Sequence, residues 1–425
     1  MITTILGAFR TREIRNKVLF TAALLALYRL GSYIPAPGIN AGAVNQIQKE
    51  LGGQSILGLL NTFSGGGLGR IAIFALGIMP FITSSIIFQL LQVVVPSLEQ
   101  LRKEPTGQER LVQYQRYLTV GLAFAQSIGY VFLFRSFETQ AGVTLIANFN
   151  VAKVFLIAIT LTAGTILLMW FGELITQRGI GNGISLLIFA SIVSRIPSGI
   201  ASWWNSNDST FKVMMPFIVI AVVAAIVFVQ EGQRKIPIQY ARRQIGQRMV
   251  SGQQTFMPLR INMAGVIPVI FAATVMTIPP TVGQLIGQNR RGFGTSLYDF
   301  FAPGGWHYVV GECLLIIVFT YFYTAVTFNP VEQADELRKA GGFIPGVRPG
   351  RPTAEFLDRV LARLTLPGAI FLALVAALPT ILIDQTGANF AFGGTALLIV
   401  IGVALDTMKQ LEAQLMMRNY EGFLK

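Results

Sequence analysis

Apolar residues in this chain gather into long blocks, and the blocks set the first reading of the fold. A helix needs about 20 predominantly apolar residues to cross a bilayer. Ten stretches approach that length, at about 18–34, 71–95, 117–134, 151–171, 183–200, 212–230, 261–283, 306–328, 364–383 and 393–411. Another apolar run, about 55–63, is too short to span. It is expected as a re-entrant or buried half-helix, because backbone at membrane depth needs protein around it. The fold class expected is all-α, a polytopic membrane protein of ten spanning helices.

The polar stretches between blocks supply orientation. Ten spans put both termini on one side, and the loops on that side hold most of the basic residues. They include Arg10, Arg12, Arg15, Lys17, Arg102, Lys103, Arg110, Arg116, Arg178, Arg234, Lys235, Arg338, Lys339, Arg359, Arg363 and Arg418. The opposite loops hold few, among them Lys49, Arg70, Arg135, Arg290 and Arg291. Basic loops stay in the cytoplasm, so both termini are expected there. The charged run Arg12, Glu13, Arg15, Lys17 directly precedes the first block and reads as the flank of a spanning helix, not as a cleavable leader.

Two cytosolic loops are long, about 231–260 and 329–363. The first alternates apolar and polar residues through Lys235-Ile236-Pro237-Ile238-Gln239-Tyr240 and later carries Phe256-Met257-Pro258-Leu259-Arg260. That pattern predicts a two-stranded hairpin. The second starts with a helical pattern over 331–340, stopped by Gly341-Gly342, and ends in the turn Gly346-Val347-Arg348-Pro349-Gly350. Five blocks precede the Trp203-Trp204 region and five follow, which suggests two units, 1–205 and 206–425.

Composition narrows the chemistry. Charged residues are 12% and hydrophobic ones 53%, with mean hydropathy +0.59. A soluble domain carries about 25% charged residues, so lipid is the natural solvent of this chain. The net charge of +13 then reflects cytoplasmic loops more simply than a nucleic-acid partner. Cys313 is the only cysteine and His307 the only histidine. Internal disulfides, Cys-rich metal sites and most histidine-based catalysis are thereby excluded. No phosphate-binding glycine loop, carboxylate dyad or Ser/His pair stands out in the spans, so no cofactor is expected and an intramembrane enzyme is disfavoured. A secondary transporter would want ionisable groups at mid-depth. Glu173, Glu312 and Asp406 instead fall near predicted helix ends.

Six strings stand at helix ends. They are Arg29-Leu30-Gly31-Ser32-Tyr33-Ile34-Pro35-Ala36-Pro37-Gly38; Asn61-Thr62-Phe63-Ser64-Gly65-Gly66-Gly67-Leu68, leading into Ala75-Leu76-Gly77-Ile78-Met79-Pro80; Gln177-Arg178-Gly179-Ile180-Gly181-Asn182-Gly183-Ile184-Ser185; Asn262-Met263-Ala264-Gly265-Val266-Ile267-Pro268; Gly346-Val347-Arg348-Pro349-Gly350; and Gly393-Gly394-Thr395-Ala396-Leu397. In kind and order they resemble the SecY family of protein-conducting channels, from near residue 10 to the C-terminus. The tail from Met417 to Lys425 is similar to cyanobacterial and plastid members.

The resemblance implies two five-helix halves closing like a clamshell on an hourglass pore, with a lateral gate between helices two and three of one half and seven and eight of the other. It implies the partners SecE, SecG, the motor ATPase SecA, the ribosome, signal peptides and nascent chains, and membrane lipid. The membrane would be the bacterial plasma membrane or the thylakoid. The family's pore ring falls on Ile78, Ile82, Ile184, Ile188, Ile270 and Ile399, and its plug on Leu60, Asn61, Thr62, Phe63, Ser64, Gly65, Gly66, Gly67 and Leu68. Ile78 and Ile82 share a helical face by spacing, as do Ile184 and Ile188. An aliphatic ring suits such a pore, since it grips no substrate group and excludes ions by dewetting. Alone, each isoleucine would read as packing or facing lipid; the motif match sets these six apart. Glycines 65 to 67 are expected to be a flexible connection. Arg348 occupies the family's contact for SecA or the ribosome, and Arg242, Arg243 and Arg248 make a second basic cluster suited to ribosomal RNA phosphates. Thr83 and Gln126 match positions near the lateral gate, where either gate function or a local helix–helix hydrogen bond accounts for a polar side chain.

Overall fold

The computed structural model describes residues 11–40, 42–44, 64–104, 106–141, 144–146, 149–205, 209–240, 243–245, 248–250, 254–286, 300–301, 305–386 and 394–423. Their helices are α1 (Arg12–Gly31), α2 (Met79–Val94), α3 (Pro96–Lys103), α4 (Gly107–Ala141), α5 (Val151–Arg178), α6 (Gly183–Val193), α7 (Ile196–Trp204), α8 (Ser209–Glu231), α9 (Ile267–Ile286), α10 (Trp306–Thr327), α11 (Pro330–Lys339), α12 (Arg351–Thr386) and α13 (Gly394–Phe423). The strands are β1 (Gln233–Tyr240), β2 (Arg243–Ile245), β3 (Arg248–Val250), β4 (Gln254–Arg260) and β5 (Gly342–Phe343).

Each of the ten apolar blocks contains a helix, but several boundaries move. The second block was expected to be helical from about 71, whereas α2 starts at Met79. Residues 64–78 form consecutive turns instead, with positive φ at Gly65, Gly66, Ile71 and Gly77. Pro80 then sits in the first turn of α2, where its missing N–H costs nothing. Pro96 ends α2, and the chain bends by 103° into α3. The fifth block breaks at Ser194 and Arg195, with Pro197 opening α7. Helices α4 and α12 run past their apolar blocks because polar helix formers continue them. Arg110, Arg116, Arg359 and Arg363, read from sequence as loop cations, therefore lie on helices.

Seven described helices are long and apolar enough to cross a membrane, or eight if the α2–α3 pair counts as one span. The ten-span count is not reached on that measure. Every 18-residue window of α1 retains Arg15, Lys17 and Arg29, and the apolar part of α9 is the short stretch Ile267–Pro279.

Three apolar clusters organise the spans. One joins α4 and α5 to the turns before α2, through Leu68, Ala75, Leu76, Val131, Leu133, Ile157 and Leu161. Another joins α8, α9, α10, α12 and α13, through Ile226, Val269, Ile316, Leu372 and Leu398. The third draws on helices from both of these groups and contains the candidate site.

The predicted hairpin is present: β1 pairs antiparallel with β4 from Gln233↔Arg260 to Gln239↔Gln254. The structure adds β5, paired to β1 through Gln239↔Phe343 and Tyr240↔Gly342, and the short β2–β3 pair. Ile236, Leu259, Ile344, Leu357, Val360 and Leu361 form a small core beneath this sheet, so both long loops and the start of α12 fold as one unit.

Candidate functional site

The turn between α5 and α6 aims two of the six isoleucines. Ile180 N–H donates to Thr21 Oγ1 of α1 at 3.2 Å, and Gly183 N–H donates to Thr176 Oγ1 at 2.9 Å. Gly181 supplies a positive φ of 80°. Asn182 caps α6, its Oδ1 accepting from Ile184 N–H at 3.1 Å and Ser185 N–H at 3.3 Å. Gly183 has no room for a side chain: a Cβ there would collide with the carbonyl of Gly172 and stand 2.8 Å from Ile175 Cβ. Close backbone approach thus seats α6 on α5 and fixes Ile184 and Ile188.

The other four arrive on three elements. Ile78 is the residue capping α2, and its carbonyl accepts from Ile82 N–H at 3.2 Å, which stacks the two side chains. Gly265, with φ of 62°, turns the chain into α9, and Asn262 Nδ2 donates to its carbonyl at 2.9 Å. Ile270 N–H then bonds the Val266 carbonyl at 3.3 Å. Ile399 lies on α13, where Gly402 lets Val266 approach closely.

All six converge. Ile78, Ile82, Ile188, Ile270 and Ile399 are buried in one apolar cluster, and half-buried Ile184 packs against it. Leu24, Phe74, Met79, Phe171, Phe271, Ala396 and Val403 surround them. An aliphatic cluster of this kind offers water no hydrogen-bond partner and no group that would grip a polar ligand.

Beside the cluster lies the glycine segment. Leu60, Asn61, Thr62 and Phe63 fall outside the described residues. Ser64, Gly65, Gly67 and Leu68 are buried and Gly66 is half-buried. The stretch 64–68, which includes the three glycines expected as a flexible connection, forms a closed turn here: Gly67 N–H donates to the Ser64 carbonyl at 3.1 Å and Leu68 N–H to Ser64 Oγ at 3.0 Å. Arg29 Nη1 donates to the Gly65 carbonyl at 2.6 Å. At Gly65, φ is 63° and a Cβ would lie 2.7 Å from the Tyr28 hydroxyl and 3.3 Å from Ser191 Cβ. At Gly65 a left-handed position with no room for a side chain calls for glycine.

Helix α9 packs against α2 and α4, and α10 packs on α9 with Phe271 edge-on to Phe319 (ring centroids 5.9 Å apart). Thr83 is half-buried on α2, but its hydroxyl donates to Met79 O of its own helix at 3.0 Å. Gln126 is half-buried on α4. The polar tie between these helices comes instead from Ser84, whose Oγ donates to the Gln115 carbonyl at 2.9 Å. Sequence spacing gave no signal for Ser84 or for the Arg29–Gly65 contact.

Arg348 is exposed in a turn held by positive φ at Gly346 and Gly350, and its carbonyl accepts from Thr353 Oγ1 at 2.8 Å. Arg243 and Arg248 lie on β2 and β3, while Arg242 falls outside the described residues. Of the acidic residues, Glu173 receives Arg116 in a paired bond at 2.8 and 2.7 Å. Asp406 lies 3.7 Å from Arg260, and Glu312 is buried on α10.

The family model described as SecY matches residues 72–408. Protein translocase subunit SecY of Mycobacterium bovis is 47% identical over the full length of both chains. Among solved structures, a protein-conducting channel superposes with a TM-score of 0.65 at 19% identity, covering 93% of this chain and 91% of that one. Sec61 from the canine ribosome–channel complex of the endoplasmic reticulum gives 0.63 at 18% identity, with the same coverage. These structural matches carry the fold, and the sequence match carries the family.

Proposed function

The chain belongs to the SecY family of protein translocase subunits, and on that footing we propose how its residues conduct polypeptide. It is an integral membrane channel subunit through which unfolded polypeptides cross and hydrophobic segments leave sideways into lipid. The six isoleucines form the constriction that closes around the passing chain. Residues 60–68 are the plug beneath it, seated through Arg29 and Gly65 in the resting state. Residues 1–205 and 206–425 are the two halves, and their seam, α2 and α4 against α9 and α10, is the lateral gate near Thr83 and Gln126. Arg348 contacts SecA or the ribosome on the cytosolic side, with Arg242, Arg243 and Arg248 as a second basic surface for ribosomal RNA. SecE and SecG complete the assembly. Both termini face the cytoplasm of a bacterial plasma membrane or the corresponding side of a thylakoid.

The observation that carries this reading is the convergence of six isoleucines from α2, α6, α9 and α13 into one cluster. Replacing Ile82 and Ile270 with Asn puts amide groups in the constriction and favours its wetting. The expected result is a raised resting ion conductance of the reconstituted channel at unchanged abundance. Resting conductance equal to that of the parent would remove the constriction from these residues.

A further inference from the structure

At its C-terminal end α1 carries Arg29 in the last turn, with Tyr33 just beyond. While Arg29 Nη1 holds the Gly65 carbonyl, its Nη2 donates to the Tyr33 hydroxyl at 2.8 Å. Arg70 arrives from the turns before α2 and lies over the same ring. The guanidinium carbons stand 4.7 Å (Arg29) and 3.9 Å (Arg70) from the ring centroid, so they are at most 8.6 Å apart. Among the described residues neither arginine has a carboxylate partner. Arg70 Nη1 is shut off from water and has no acceptor. Two like charges this close repel, and an orphaned buried donor is costly. An anion bound by both half-buried guanidiniums offsets the repulsion between them.

The adjoining surface indicates which anion. Leu27 and Leu30 near the end of α1 are 50% and 63% exposed, and Ile34, three residues past that end, is 52% exposed. These apolar side chains lead to the arginine pair and to half-exposed Tyr33, the kind of ring that favours headgroup level. An apolar track ending in two guanidiniums fits an acyl chain with a phosphate at its head, and guanidinium pairs bind phosphate by forked hydrogen bonds. We propose that Arg29 and Arg70, bridged by Tyr33, bind the headgroup phosphate of one anionic phospholipid in the leaflet away from the basic loops, its chain lying along Leu27, Leu30 and Ile34.

The test uses the assembled channel complex in detergent, with phosphatidylglycerol as the probe and phosphatidylcholine and inorganic phosphate as separate arms. Native mass spectrometry counts retained lipid, and a phosphatidylglycerol bearing a photoreactive headgroup maps where it sits. Arg70→Gln leaves the Arg29–Gly65 contact in place. It is expected to lower phosphatidylglycerol occupancy about fivefold, the loss for one interfacial cation facing an anionic lipid, and to lower labelling of residues 30–34 in the same proportion. Arg102→Gln, an exposed cation on α3, should change neither. Unchanged retention and labelling in Arg70→Gln overturn the proposal, as does equal retention of phosphatidylcholine. Complete displacement of the lipid by millimolar inorganic phosphate would make this a free-anion site and overturn the lipid assignment. Should Arg70→Gln fail to assemble, the parent complex still decides: headgroup labelling that misses residues 30–34 refutes the site.

Discussion

Gly183→Ala adds one methyl group at the closest approach of α6 to α5. The new Cβ would stand 2.8 Å from the Gly172 carbonyl carbon and 2.8 Å from Ile175 Cβ, and it would overlap the Gly172 oxygen. Ordinary contact begins near 3.4 Å, so α6 must move off α5 by at least 0.6 Å. The obstructing atoms are largely backbone, so no side chain can swing aside. Two effects compete in sign. Alanine exceeds glycine in helix propensity by about 1 kcal/mol at most, and less in a first turn. Overpacking a close helix contact costs about 1–3 kcal/mol, so net destabilisation is expected. The shift also carries Ile184 and Ile188 relative to Ile78, Ile82, Ile270 and Ile399. The assay pairs thermal unfolding of the purified complex with resting conductance in planar bilayers. The variant should unfold earlier and leak more. Gly121→Ala, on an open face of α4 with nothing within 4 Å of the added methyl, should do neither. A Gly183→Ala channel as stable and as tight as its parent would refute the claim that this contact sets the constriction.

Two further outcomes are expected. Deleting residues 60–68 should leave an assembled channel that closes poorly, read as normal complex yield with raised resting conductance; loss of the complex would make the segment structural. Arg348→Glu should leave stability and assembly intact, since the side chain is exposed and surface changes usually stay within about 0.5 kcal/mol. It should cut motor-driven precursor export at least tenfold, because losing one partner of a buried interfacial charge pair costs about 2–5 kcal/mol; near-normal export by proteoliposomes would contradict the contact.

The ten blocks were legible because bilayer thickness forces a length of apolar sequence that little else produces. Their ends were less so. Arg110 and Arg116 look like loop cations, yet a helix continues through polar residues once it leaves lipid. Residues 71–78 look like a span because turns buried in protein are as apolar as a helix. The β1–β4 hairpin showed in its alternation, whereas β5 is two residues long and owes its existence to a partner strand about a hundred residues away. For the proposed constriction, no single isoleucine carries a signal. Only the strings around them, read together, marked the six. The Arg29–Gly65 bond joins residues 36 apart with no periodicity to announce it, and the Arg29–Tyr33–Arg70 group emerged only once the turns before α2 had folded.

The three-stranded sheet has a mechanical consequence. Strand β1 follows α8 directly, β4 leads towards α9, and β5 leads through the Arg348 turn into α12. Antiparallel pairing holds all three side by side in the order β4–β1–β5. A pull along the strand axis at the Arg348 turn loads the β5–β1 bonds in shear, as a row acting together and not as a zipper opening one rung at a time. The longer β1–β4 ladder, seven pairs deep, then relays that load to the root of α8 and the entry to α9. Push or pull at the Arg348 turn therefore reaches the helix that carries Ile270 through the β1–β4 ladder, with the compliance confined to the two-residue β5 contact.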